Sequence, residues 1–167
     1  MNKDSDIMNH PVKKPHNQLN ILYNQDYYQW VQNTIDSIHN RDLNSLDWEN
    51  LLEELKDLGN EQKHQLESRL LVLFEHLLKL AYWQQERDYN SRGWKGTIIE
   101  QRKQIKKLLK RNPSLKSFFL EIVAEIYQDA RDIAIVKTGL EPLIFPLEPF
   151  FTDEQALDEN WLPDEIK

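Results

Sequence analysis

Residues 66–81, LESRLLVLFEHLLKLA, decide the fold. Leu66, Leu70, Leu73, Phe74, Leu77, Leu80 and Ala81 recur every three or four positions, which places them on one face of a helix. Upstream, Asp47 is a good N-cap, and Trp48, Leu51, Leu52, Leu55 and Leu58 share one apolar face. The register survives Gly59, so Asp47 to Trp83 predicts one helix roughly 55 Å long. Glycine costs about 1 kcal/mol relative to alanine in a helix interior. A bend, a break or a close backbone approach is therefore expected at Gly59.

The flanking segments read the same way. Tyr27, Trp30, Val31, Thr34, Ile35 and Ile38 make a stripe on a first helix over about Asn24–His39. A third helix is expected over about Ser91–Arg111 and a fourth over about Pro113–Lys137, roughly 30 and 37 Å long. Asn112 and Pro113 suit a helix start, and Gly139 suits the residue just past a helix end. No proline stands between His16 and Asn112, glycines are only four, and strand-type alternation is absent.

After Gly139 the texture changes. Pro142, Pro146 and Pro149 oppose helix, while Leu143, Ile144, Phe145, Leu147, Phe150 and Phe151 are too apolar for a free tail. Thr152 and Gln155 form a capping box for one short terminal helix, with Trp161 to pin the end. The expected fold is all-α: a four-helix-type bundle with a bent or broken long second helix, covered by a proline-rich extended C-terminal segment. Its parts are a disordered polar arm over 1–19, a bundle over 20–139 and a covering segment over 140–167.

Composition narrows function by exclusion. The 167 residues hold no cysteine, which removes disulfides, cysteine-ligated metals and thiol catalysis. No apolar run approaches a membrane span, and Met1–Gln18 lacks the apolar core of a secretory signal. A cytoplasmic protein is expected. With 21 Lys and Arg against 28 Asp and Glu, the net charge is −7. The segment 86–116 nevertheless holds ten basic and three acidic residues, and 141–167 eight acidic and one basic. Lys103, Lys106, Lys107, Lys110 and Arg111 form a basic ridge roughly opposite the apolar face of the third helix. Such a ridge can contact phosphates, although a net acidic molecule disfavours nucleic acid.

Several stretches carry a family resemblance: residues 23–30 (YNQDYYQW), 49–55 (ENLLEEL) with Gly59, 68–70 (SRL), 76–79 (HLLK) and 112–115 (NPSL). Trp94, Thr97-Ile98, Gln101-Arg102, Tyr127, Ala130-Arg131, Thr138-Gly139-Leu140, Phe145-Pro146 and Leu157-Asp158 extend it. Over roughly Leu22–Pro163 the chain resembles a bacterial family, abundant in cyanobacteria, catalogued as domain of unknown function number twenty-nine. The resemblance implies an all-helical fold and no reaction, substrate or cofactor.

Few residues suggest chemistry. Glu61-x-x-His64 has the spacing of di-iron bundles, but it occurs once, and His64 points opposite Leu73 and Leu77. No metal ligand set, catalytic residue or cofactor is assigned. His76 stands at the margin of its stripe, Gln101 near the centre of the stripe of Trp94, Ile98, Ile105 and Leu108, and Arg102 beside it. Together with Glu54, Arg69 and Asp129 these residues form a candidate polar cluster. It reads either as an inter-helix network or as a pocket using His76 as acid or base. Gln101 is expected buried, with His76 or Arg102 within reach, because an unpaired buried amide costs roughly 1–3 kcal/mol. The leading expectation is a non-enzymatic, homodimeric interaction module with Trp48–Leu58 as the dimer patch. A nucleic-acid-associated protein and a small-molecule binder or enzyme are the alternatives.

Overall fold

The computed structural model describes residues 16–163, with side chains from residue 19 onward. The chain is all-α: α1 (His16–Gln25), α2 (Tyr27–His39), α3 (Trp48–Tyr82), α4 (Gln84–Arg111), α5 (Leu115–Thr138) and α6 (Asp153–Leu157). Single 3-10 turns lie at Leu43–Ser45 and Pro142–Ile144. Two compact units divide it, Met1–Leu58 and Gly59–Lys167, and the division falls inside α3.

In the first unit, α1 and α2 part at Asp26, whose carboxylate accepts from Gln29 N at 3.0 Å and caps α2. The expected arm lies outside the described residues over 1–15, while residues 16–19 are already helical. Their apolar content is too thin to show a period. Trp30 is buried, and its indole donates to Asp47 Oδ2 at 3.3 Å. The same carboxylate takes Asn50 Nδ2 at 2.6 Å, so a buried Asp–Asn–Trp cluster fixes the start of α3.

Helix α3 runs 35 residues without interruption. The break expected at Gly59 is not there, nor is a close approach, since a Cβ at that position would meet nothing within 4 Å. Good helix formers on both sides absorb the local cost.

The second unit buries Leu66, Leu70, Leu73, Phe74, Leu77 and Leu80 of α3 against Trp94, Ile98 and Ile105 of α4 and Phe119, Ile122 and Tyr127 of α5. Three long helices build this core, where the sequence suggested four. Helix α4 begins at Gln84, ahead of the expected Ser91. The polar run 84–90 has no apolar period to announce it and is supported locally, as by Asn90 Nδ2 donating to Glu86 Oε2 at 2.7 Å. Helix α5 starts at Leu115, after a turn at Pro113 and Ser114. Gly139 ends α5 with φ 67°, in the left-handed region where a side chain is strained.

Beyond α5, Phe145, Phe151 and Ala156 join the core, and Phe150, Leu157, Trp161 and Leu162 pack against it. The segment is less extended than its prolines imply, because Pro142 opens a 3-10 turn where its missing N–H is no loss. Leu143 is 96% exposed and Leu147 67%, so neither covers anything. The capping box forms as its spacing implies, with Gln155 N donating to Thr152 Oγ1 and Thr152 N to Gln155 Oε1.

Candidate functional site

The six polar candidates fall into separate local arrangements. In the first unit, Glu54 accepts the hydroxyls of Tyr23 and Tyr27, each at 2.7 Å. It thereby ties α1 and α2 to α3 and joins two of the stretches that carry the family resemblance. The hydrogen bond to Glu54, together with desolvation, pushes the Tyr23 phenol up to about 12. Both phenols stay neutral donors at physiological pH.

In the second unit, Arg69 Nη1 donates to Gln101 Oε1 at 3.3 Å, joining α3 to α4. Gln101 is half-buried, and its partner is Arg69 rather than His76 or Arg102. Helix periodicity puts Gln101 near the centre of its stripe but does not choose among the polar groups within its reach. Asp129 is exposed on α5 and has no hydrogen bond or ion pair among the described residues.

Arg102 is fully buried, the largest such side chain among the described residues. Its Nε donates to Ala156 O at 2.8 Å, Nη2 to Gln155 O at 3.0 Å and Nη1 to Trp161 O at 2.6 Å. The segment after α5 has little regular structure, so its carbonyls find few backbone donors and must be satisfied by side chains. Arg131 repeats the device with Phe145 O at 3.1 Å and Pro142 O at 2.8 Å, and Tyr127 donates to Pro146 O at 3.1 Å. Arg102 is thus committed to the chain's own backbone and has no fork left for a ligand.

His76 is half-buried, and Nδ1 lies 2.8 Å from Val72 O. Burial first, then the neighbouring Lys79, lowers its pKa. Beside it, Glu75 is 4% exposed and pairs with Lys79 at 2.9 Å and Lys137 at 2.9 Å. Burial works against the Glu75 charge, but hydrogen bonds from Lys137 and Lys79 outweigh it and hold the carboxyl below its ordinary range. The open groove of about 420 Å³ lined by Arg69 and Gln101 does not include His76. Nothing here pairs His76 with a nucleophile.

The lowered His76 pKa has a measurable consequence. Between its unperturbed value near 6.5 and its lower folded value, the unfolded chain binds more protons than the folded one. Stability should therefore fall as pH drops through that window, and chemical unfolding of His76→Gln should show a flatter dependence there. Glu75 adds a separate acid loss below the normal glutamate range, which this variant should keep.

Of the basic ridge, Lys103, Lys106, Lys107, Lys110 and Arg111 are all exposed, and Lys106 pairs with Glu159 at 3.0 Å. His64 is exposed, with Nδ1 2.9 Å from Glu67, and Glu61 accepts from Gln65 at 3.2 Å. Among the described residues no group of three or more His, Asp or Glu is placed to hold a metal. No described helix is long and apolar enough to cross a membrane.

Comparison with known proteins gives one match: the family described as Domain of unknown function DUF29 matches residues 22–162. No curated protein and no solved structure matches the chain.

Proposed function

The chain belongs to the DUF29 family, and from that premise we propose that it is a homodimeric helical interaction module with no chemistry of its own. One observation carries this reading. Trp48, Leu52, Leu55 and Leu58 of α3 and Ile35 and Ile38 of α2 are each 46–58% exposed. On α3 the four share one stripe by their spacing. Apolar exposure of this extent is at the upper end of what a monomer carries and is often functional.

The area suits a second copy. Half-exposed large side chains leave roughly 80–100 Å² each, so six present roughly 500–600 Å². A standard interface buries roughly 800 Å² per partner, about 55–65% of it apolar. The two amounts agree.

Light scattering on the intact chain should give twice 20.1 kDa at micromolar concentration. The double variant Leu52→Glu, Leu55→Glu should run as a monomer with unchanged helix content, because it places four like charges across the contact. A wild-type monomer at 100 µM, on the order of the weakest useful dimer, would overturn the reading. The alternatives find less support: Arg102 is occupied by carbonyls, His76 lacks a partner base, and Lys106 of the ridge is already paired.

A further inference from the structure

Within the second unit, α3 and α4 frame a groove of about 220 Å³. Its walls carry Gln62, Gln65 and Arg69 from α3 and Gln104, Lys107 and Arg111 from α4. Three of these six side chains are cationic and none is acidic. Elsewhere in the unit several cations meet carboxylates or carbonyls: Lys79 and Lys137 share Glu75, Lys106 meets Glu159, and Arg102 holds three carbonyls. Among the described residues Arg69, Lys107 and Arg111 have no carboxylate partner. The single bond of Arg69 goes to the neutral Gln101.

This is an unusual concentration in a chain with 28 acidic residues and a net charge of −7. Three like charges around one concavity repel, and nothing in the groove offsets them. Arg111 closes α4, where a cation complements the helix dipole, but that accounts for one of the three. Arg69 stands well inside α3, and Lys107 precedes the last turn of α4. Two guanidiniums from facing helices present planar forks suited to an oxyanion, with an ammonium as a point charge. The glutamines add neutral donors, although Gln65 Nε2 already donates to Glu61 at 3.2 Å and Gln62 Oε1 accepts from Asn112 at 3.5 Å.

We infer that this groove binds the phosphate end of a small phosphorylated molecule. Its volume is that of about seven liquid waters, room for one or two phosphoryl groups, and its open side leaves the rest of such a molecule in solvent. A nucleic-acid backbone is the weaker occupant. The groove draws its cations from two helices, with Arg69 of α3 added to Lys107 and Arg111 of the α4 ridge, and the acidic molecule repels a long polyanion. The site is independent of the dimer surface, so either proposal stands if the other fails.

Calorimetric titration of the full chain at constant ionic strength tests it, with inorganic pyrophosphate as probe. Saturable binding is expected, weakened tenfold or more by Arg69→Gln and by Arg111→Gln. Lys103→Gln, an exposed ridge residue outside the groove, should leave it unchanged. A melting curve on each variant verifies folding. Absence of saturable binding at millimolar pyrophosphate would overturn the site, as would wild-type affinity in the two arginine variants. A single-stranded oligonucleotide arm decides the source. Displacement of the oligonucleotide by pyrophosphate supports the groove, and binding that pyrophosphate does not compete but Lys103→Gln weakens transfers the function to the ridge and overturns it.

Discussion

Arg102→Leu should cost the protein about 4 kcal/mol or more. Three hydrogen bonds from one buried guanidinium to the carbonyls of Gln155, Ala156 and Trp161 are lost together. Bonds to a charged group contribute roughly 1.5–3 kcal/mol each, and the stranded carbonyls add a desolvation penalty. Leucine restores apolar volume but supplies no donor. Against a total stability of about 5–15 kcal/mol, the midpoint of thermal unfolding should drop by roughly 10 °C at this chain length. Arg102→Lys should recover only part of the loss, since one ammonium on a flexible stem cannot span three acceptors. A melting curve close to wild type for Arg102→Leu would show that water satisfies the carbonyls equally well.

Truncation after Gly139 should be more severe. It deletes Phe145, Phe151 and Ala156 from the core and removes the ring contacts of Phe151 with Phe74 and Tyr127, at 5.0 and 5.9 Å. Each fully buried large apolar side chain is worth roughly 1.5–3 kcal/mol. Half-buried Phe150 and Trp161 add to this, and Arg102 loses all three acceptors while remaining inside. The total is comparable to the whole stability of a domain. The truncated chain should bind hydrophobic dye, lose its near-ultraviolet signal and aggregate at low and high salt alike. On the intact protein, salt should change the melting temperature little. The ion pair of the tail with the ridge, Lys106 with Glu159, is exposed, and such pairs are worth about 0–1 kcal/mol. A soluble, monomeric truncation with an unchanged melting curve would mean that the tail contributes nothing to the core.

These two expectations mark where sequence reading reaches and where it stops. The helical class was legible because Leu66 to Ala81 repeats with one period, and a period names both the element and its buried face. The cap at Gly139 and the box at Thr152 were legible because each is a local geometric requirement on one or two residue types. The start of α4 was not, since residues 84–90 hold no apolar side chain to mark a face except Tyr89, itself 86% exposed. Arg102 was read as flanking its stripe; it is fully buried, and its role lies in carbonyls more than fifty positions away. Backbone acceptors carry no residue identity, so no composition or spacing in the tail announces them. Glu54 shows the same limit: its position flanking the stripe was visible, and the pair of phenols that it receives was not.

The order of elements along the chain also matters to the way this molecule is made. Synthesis is vectorial and domains fold from the N-terminal side as they emerge. Helices α3, α4 and α5 leave the ribosome before the residues that finish their core. For that interval Phe74 and Tyr127 lack the ring that later seals them, and Arg102 is a cation in an apolar cleft without its three acceptors. The nascent helices are therefore incomplete in both apolar cover and charge satisfaction until Phe145, Phe151 and the carbonyls up to Trp161 have followed. Final consolidation waits for residues 145–161, and a chaperone that shields the open cleft would act most usefully before they have emerged.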